Sequence, residues 1–151
     1  MTAPVSTPAH LWVIYCDGSA MPNPGRMGMG AVLTEPDGTR HTLLQATTTK
    51  DCNNEAELRA LMAALQELQR RGATALLVYC DNSVLVEQLG GTDAKPIARL
   101  ACLFQEARQL LKSFDHASLE WIPRHRNVQA DALARAALGI VSKRVVKPSK
   151  N

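Results

Sequence analysis

The sequence predicts a single α/β domain built around a mixed β-sheet. Short apolar runs that end in turn residues alternate with segments in which apolar residues recur every three or four positions, as strands and amphipathic helices require. These segments follow the order β-β-β-α-β-α-α-β-α, which is typical of a sheet that opens with hairpins and continues with crossover connections. With 151 residues, of which 46% are hydrophobic, the chain can bury a sizeable core.

Three antiparallel strands are expected to open the domain. Residues 11–17 (LWVIYCD) form an almost continuous apolar run that is bounded by Gly18, as in a buried strand. Residues 28–49 then indicate two further strands, which a Pro-Asp-Gly turn at 36–38 joins.

Helices and strands alternate through the rest of the chain. The first helical pattern begins at Asn53 and ends at Gly72, a usual helix terminator. The pattern then predicts a buried strand at 74–81 and a short helix at 82–91, which two glycines end. It also predicts a longer helix with proline near its start at 95–114, a fifth strand at 117–124 and a last helix at 127–139.

The net charge of +3 comes from the carboxyl-terminal residues. The segment 141–151 carries four basic residues and no acidic one, and without those four the chain has 13 basic and 14 acidic residues. Attraction to phosphates is therefore expected from local patches or from this tail, unless the tail is only a solvated terminus. We divide the chain into a flexible extension at 1–10, a domain at 11–140 and a basic tail at 141–151.

Other patterns point to a cytoplasmic chain. No apolar run approaches the roughly 18 residues of a membrane span, and the first ten residues do not resemble a signal peptide. The four cysteines are far apart and form no C-x-x-C pair, so we expect buried free thiols and neither a disulfide framework nor a zinc site.

The tripeptide Tyr-Cys-Asp occurs twice, at 15–17 and 79–81, each time at the end of an apolar run. Because side chains alternate along a strand, the tyrosine and the aspartate of each copy share one face and the cysteine lies on the other. If the two strands are neighbours, as a crossover connection commonly makes them, Asp17 and Asp81 stand side by side. Two adjacent carboxylates repel each other unless a proton or a cation lies between them.

Glu57 is a candidate third acid of this site. It lies four residues before Leu61, at the edge of the helix face that packs on the sheet, whereas Glu55 is turned about 160° away around the helix axis. The spacing from Asn54 to Glu57 also fits a capping box, in which the glutamate only accepts backbone hydrogen bonds.

Asp131 is a candidate fourth acid, since it lies in the first turn of the last predicted helix. An acid at this place commonly interacts with the helix dipole alone. Convergence of four carboxylates from four elements is nevertheless typical of a site for hard cations such as Mg²⁺, which carboxylates and phosphate oxygens coordinate.

Four segments, in order, resemble the type 1 ribonuclease H family, and the resemblance covers about Leu11 to Gly139. DGSAMPNPGRMGMGAVL (17–33) matches the family's opening hairpin, and NNEAEL (53–58) matches the start of its first helix. YCDNSVLV (79–86) matches its D-S-x-x-V segment, and WIPRHRNVQADALA (121–134) matches its closing block.

The resemblance implies a fold, a reaction and a cofactor. The sheet order would be 3-2-1-4-5 with strand 2 antiparallel. The enzyme would cleave the RNA strand of RNA–DNA hybrids with two Mg²⁺ ions, or Mn²⁺, and would leave 5′-phosphate and 3′-hydroxyl ends. The four metal-binding and catalytic carboxylates would be Asp17, Glu57, Asp81 and Asp131. We expect a monomer.

Further residues match family positions next to this site. His125 would assist proton transfer and product release, or would contact phosphate or solvent only. Asn23, Asn53 and Asn54 would contact the hybrid, although turn and cap roles suit asparagine equally well. Arg124 and Arg126 flank His125 and, by their charge and not by a family match, would add phosphate contacts.

The sequence departs from the family in two places. Asn82 replaces the usual serine, which puts one substrate contact in doubt. The segment before the longer helix lacks the Lys- and Trp-rich handle of some members, for which Lys95, Arg99, Arg108 and Lys112 would substitute in part. A hybrid-binding or partner-docking module that cleaves poorly is therefore the alternative function.

Overall fold

A computed structural model of the chain describes residues 10–90 and 97–139. The predicted basic tail, Lys95 and all but one residue of the predicted amino-terminal extension lie outside these ranges. The described residues form five strands and four α-helices in the predicted order: β1 (Leu11–Met21), β2 (Gly25–Thr34), β3 (Arg40–Asp51), α1 (Asn53–Arg70), β4 (Ala75–Cys80), α2 (Ser83–Leu89), α3 (Ala101–Lys112), β5 (His116–Trp121) and α4 (Val128–Ala137).

The five strands form one mixed sheet in the order β3-β2-β1-β4-β5, which confirms the predicted topology. Strand β2 pairs antiparallel with both β1 and β3, whereas β4 pairs parallel with β1 and β5. In the parallel pair β1–β4, Tyr15 lies opposite Tyr79, and the centroids of their rings are 5.1 Å apart. The two Tyr-Cys-Asp segments are therefore neighbours, in register.

The main core lies between the sheet and α1. Apolar side chains of β1 and β4 that alternate with the tyrosines meet the leucines of α1 there, and the cluster includes Ile14, Cys16, Leu65, Val78 and Cys80. A second cluster joins α1 to α2 and α3. Helix α4 packs on the opposite face of the sheet, over β1, β2 and β3.

Two glycines let helices approach the sheet closely. A Cβ atom on Gly18 of β1 would lie 2.2 Å from the backbone of Ala56 in α1. On the other face, a Cβ on Gly30 of β2 would lie 2.5 Å from the Ala130 carbonyl oxygen in α4. Since Asp17 lies opposite Gly30 in the β1–β2 pair, both helices come close to the same end of β1.

Most element boundaries differ from the prediction by one to three residues, and two differ by more. Strand β1 continues past Gly18 to Met21, because its outer half still pairs with β2. The α-helix predicted from residue 95 begins only at Ala101, after one 3₁₀ turn at Ala98–Leu100. Leu100, the last residue of that turn, has φ −106° and ψ 9°, which lie outside the α-helical region, so the turn does not continue directly into α3.

The prediction of buried free thiols is only partly right. All four cysteines are free, and Cys16 and Cys80 are buried side by side under α1. Cys52 is half-buried, however, and Cys102 is exposed because it lies on the outer side of α3. Within the described ranges, no helix has the length and apolarity needed to cross a membrane.

Candidate active site

Three carboxylates meet just past the point where the parallel pairing of β1 with β4 ends. The parallel register places Asp17 and Asp81 side by side, two residues beyond the paired tyrosines, and the second turn of α1 places Glu57 beside them. One oxygen from each of Asp17, Glu57 and Asp81 lies within 4.8 Å of the others. The site therefore consists of three acids from three separate elements.

Glu57 faces this cluster and does not cap its helix. The N-cap of α1 is Cys52, which makes no side-chain capping hydrogen bond, so the capping-box interpretation is wrong. The Oε2 atom of Glu57 accepts a hydrogen bond of 3.0 Å from Asn82, while its Oε1 atom is buried without a hydrogen-bond partner among the described residues. Glu55 stays outside the cluster and pairs with Arg59 at 2.6 Å.

Asp131 lies at the edge of the cluster. It lines the same small pocket of about 150 Å³ as the three clustered acids, and its carboxylate is close enough to Asp17 to raise the pKa of that group. Its Oδ2 atom also accepts a 3.1 Å hydrogen bond from Arg135, one helical turn further along α4. The structure thus brings three predicted acids together and leaves the fourth at the rim.

Burial and mutual repulsion disfavour the charged forms of two of these acids. Burial, followed by the charges of Glu57 and Asp81, raises the pKa of Asp17 to about 10. Burial and the charge of Asp81 raise the pKa of Glu57 to about 7, although the hydrogen bond from Asn82 works in the opposite direction. Crowded carboxylates with one unpartnered buried oxygen fit a divalent hard cation, which would remove the repulsion and use that oxygen as a ligand.

The three predicted substrate asparagines are held through their side-chain oxygens. The Oδ1 atom of Asn53 accepts from the Ala20 backbone N–H at 2.7 Å, and that of Asn23 accepts from the Asn53 N–H at 3.1 Å. Asn54 Oδ1 accepts from Asn82 at 2.8 Å. These bonds fix the direction of each amide nitrogen, and Asn23 and Asn53 line the acidic pocket.

The basic residues between β5 and α4 divide between two cavities. Arg124 lines the acidic pocket, where its charge favours ionised Glu57. His125 and Arg126 instead line a neighbouring cavity of about 360 Å³, together with Tyr15 and Arg40. The structure therefore does not bring His125 into the carboxylate cluster.

Two of the basic residues named as partial substitutes for the handle already have partners within the protein. Arg99 forms an ion pair of 2.7 Å with Asp51, and Arg108 donates a hydrogen bond to the Gln88 carbonyl oxygen at 3.0 Å.

Two asparagines hold this site in place, and the sequence indicated the role of neither: Asn127 was not identified, and Asn82 stood out only as a departure from the family. Asn127, only 1% exposed, donates hydrogen bonds to Asp81 Oδ2 at 2.8 Å and to the Cys16 carbonyl oxygen at 2.9 Å. Its position just before α4 is typical of an N-cap, but its side chain does not cap the helix. The other is Asn82, which contacts both Glu57 and Asn54.

Comparison with known proteins agrees with this geometry. A family model described as reverse transcriptase-like matches residues 15–137. A bifunctional protein of Mycobacterium tuberculosis is 36% identical over an alignment of 130 positions, which covers 83% of this chain and 35% of that protein. The chain therefore spans about a third of the length of that relative.

Two solved structures share the fold. A ribonuclease H1 from the halophilic archaeon Halobacterium salinarum has a TM-score of 0.80 at 33% identity, covering 85% of this chain and 98% of that one. The LC11 ribonuclease H1, solved in complex with an RNA/DNA hybrid, has a TM-score of 0.77 at 29% identity, covering 85% of this chain and 96% of that one.

Proposed function

Because this chain belongs to the type 1 ribonuclease H family, we propose that it is an endonuclease that hydrolyses the RNA strand of RNA–DNA hybrids. The observation that carries the proposal is the cluster of Asp17, Glu57 and Asp81, of which one oxygen each lies within 4.8 Å of the others, just past the paired part of the two central strands. Similarity to a ribonuclease H1 solved with an RNA/DNA hybrid supports the substrate class.

The clustered acids would hold two divalent cations, Mg²⁺ or Mn²⁺, and Asp131 would complete the ligand set from the rim. When bound, the two ions would activate the attacking water and stabilise the leaving 3′ oxygen, so that the products carry 5′-phosphate and 3′-hydroxyl ends. The carboxylates must be ionised to bind them. Their raised pKa values keep the metal-free site partly protonated, and metal binding would release those protons.

The polar rim of the pocket would bind the hybrid. Asn23, Asn53 and Asn54 present amide groups of fixed direction, which suit the 2′-hydroxyls and base edges of a wide, shallow minor groove. Arg124 would contact a phosphate beside the acids, and Arg126 one further along the strand. His125 would assist proton transfer or contact phosphate from the neighbouring cavity.

The test is cleavage of a labelled RNA–DNA hybrid beside duplex DNA, duplex RNA and single-stranded RNA, with Mg²⁺, Mn²⁺ or a chelator. The protein should cleave only the hybrid and only with metal. The Asp81→Asn variant should lose more than about 100-fold in rate, since even the outer partners of metal ligands contribute about 10- to 100-fold. Asp115→Asn, at an exposed position away from the pocket, is the matched control. Hybrid binding without cleavage would instead identify a binding module.

A further inference from the structure

The side chain of Asn82 joins three parts of the site. It follows Asp81 directly and is the N-cap of α2, where its Oδ1 atom accepts a hydrogen bond of 3.1 Å from the Leu85 N–H. Its Nδ2 atom donates to Glu57 Oε2 at 3.0 Å and to Asn54 Oδ1 at 2.8 Å. One half-buried amide therefore connects the start of α2, a clustered carboxylate and a proposed substrate contact.

We propose that Asn82 is a positioning residue that orients the Glu57 carboxylate toward the metal ions and the Asn54 amide toward the hybrid. The inference rests on the proposed function and concerns the residue at which this chain departs from the family's usual serine.

The effect on Glu57 follows from the different hydrogen bonding of its two carboxylate oxygens. Oε2 is occupied by the hydrogen bond from Asn82, whereas Oε1 is buried and has no hydrogen-bond partner among the described residues. The bond from Asn82 stops the carboxylate from rotating freely, and it leaves Oε1 as the oxygen available to a cation. The site is therefore ordered before a cation binds, which favours binding because less side-chain freedom is lost.

The effect on Asn54 follows in the same way. Its side-chain oxygen is held by the second N–H of Asn82, so its own amide nitrogen has a fixed direction. A single residue thus couples the geometry of the metal site to that of a substrate contact.

The chemistry of the side chain explains why serine cannot do the same. A serine at an N-cap satisfies the backbone of the helix through its oxygen about as well as asparagine does. Its hydroxyl group carries one hydrogen, however, whereas the asparagine amide carries two and serves two acceptors at once. The Asn82→Ser variant therefore keeps the helix cap and loses the double donation, and Asn82→Ala loses both.

The experiment is a calorimetric titration of the full-length protein with Mn²⁺, alone and without any nucleic acid. Asn82→Ser should bind Mn²⁺ about 10- to 100-fold more weakly than the parent. Its thermal midpoint should remain close to that of the parent, while Asn82→Ala should melt at a lower temperature because α2 also loses its cap. Weaker metal binding with an unchanged melting temperature separates a positioning role from a structural one.

A second measurement addresses the substrate contact. Hybrid affinity in the presence of a chelator should fall several-fold in Asn82→Ser, and in cleavage assays this variant should need more Mg²⁺ to reach half of its maximal rate. Equal Mn²⁺ affinity in the parent and in Asn82→Ser would overturn the proposal. Because the titration needs no cleavage, a parent protein that binds Mn²⁺ more tightly than Asn82→Ser but leaves hybrids intact would overturn the proposed function alone.

Discussion

Asp17 combines deep burial with three acidic neighbours, and this environment links the charge of the site to protein stability. Its pKa rises from 3.8 to about 10, and that of Glu57 from 4.5 to about 7, because the folded protein disfavours both charged forms. The unfolded chain imposes no such penalty. The protonated acids therefore favour the folded state at low pH, and that contribution decreases as the pH rises above the ordinary pKa values near 4, until it is lost above about 7 for Glu57 and about 10 for Asp17.

We expect the metal-free protein to lose stability as the pH is raised from about 6 to about 9. Chemical unfolding in the presence of a chelator, at a series of pH values, measures this change. On the proposed function Mg²⁺ would bind the ionised carboxylates, so its stabilising effect should be larger at the upper end of this range than at the lower end.

The Asp17→Asn variant is the control, since it removes the group with the larger shift and keeps the shape of the side chain. Its free energy of unfolding should depend less on pH, so the variant should gain stability relative to the parent as the pH rises. If the parent protein instead became more stable relative to Asp17→Asn as the pH rose, this result would contradict a raised pKa of Asp17.

The candidate acids could be predicted from sequence, but the residues that orient them could not. Strand alternation and helical spacing are local properties, and they place Asp17, Asp81 and Glu57 correctly. The hydrogen bonds of Asn82 and Asn127 depend instead on where α1 and α4 begin relative to β4, which only the tertiary structure defines. In the sequence, both residues have the pattern of ordinary helix caps.

At the level of elements, the position of α4 depends on a close contact with β2 at Gly30. The contact lies opposite Asp17, because Gly30 pairs with Asp17 and faces the backbone of α4 around Ala130 and Ala134. A side chain at Gly30 would meet backbone atoms, which cannot rotate away. The small residues at this crossing thus keep Asp131, on the same helix turn, at the edge of the acidic pocket.

Gly30→Ala should force α4 away from the sheet. The added Cβ would lie 2.5 Å from the Ala130 carbonyl oxygen and from the Ala134 nitrogen, so we expect a loss of about 1–3 kcal/mol in the free energy of unfolding, as for other overpacked cores. Urea unfolding measures the loss, and hybrid cleavage should fall with it as Asp131 moves.

Gly90→Ala provides the comparison for this variant. Gly90 has a φ of −80°, and among the described residues the atom nearest to an added Cβ would be the Val86 carbonyl oxygen, at 3.0 Å. Its effect should stay within about 1 kcal/mol. Equal stability of Gly30→Ala and the parent would show that α4 can shift without cost.

The order of the elements was predictable, and their ends less so. Apolar periodicity identifies each strand and helix because it reflects burial along one element. The outer half of β1, including Gly18 and Ser19, has no apolar run and becomes strand only through its pairing with β2. The late start of α3 likewise depends on the backbone at Leu100 and not on helix propensity.

For the whole molecule, charge distribution governs how the protein would approach a nucleic acid. Several described arginines are engaged in ion pairs, among them Arg59, Arg70, Arg71 and Arg99. The basic tail is the part of the sequence with an excess of positive charge, and it lies outside the described residues. We expect the tail to supply nonspecific attraction to the hybrid.

Deleting residues 141–151 should weaken hybrid binding and flatten its dependence on salt. When the logarithm of the binding constant is plotted against the logarithm of the salt concentration, each phosphate contact adds about 0.7–0.9 to the size of the negative slope. The tail offers four basic residues for such contacts. Binding titrations at several salt concentrations test this.

A full-length variant with glutamine at the four basic tail positions should behave like the deletion, which separates charge from chain length. Unchanged affinity at both low and moderate salt would exclude an electrostatic role for the tail.

The clustered acids come from β1, from α1 and from the end of β4. Cation binding at this site would therefore depend on the native arrangement of these three elements. Residues 17, 57 and 81 lie far apart in sequence and meet only when the parallel strands are paired and α1 is docked on them. The unfolded chain offers no comparable site, so each ion bound there would act as a reversible cross-link that exists only in the native state. Catalytic competence and cooperative folding are thus expected to be lost together when any one of these elements detaches.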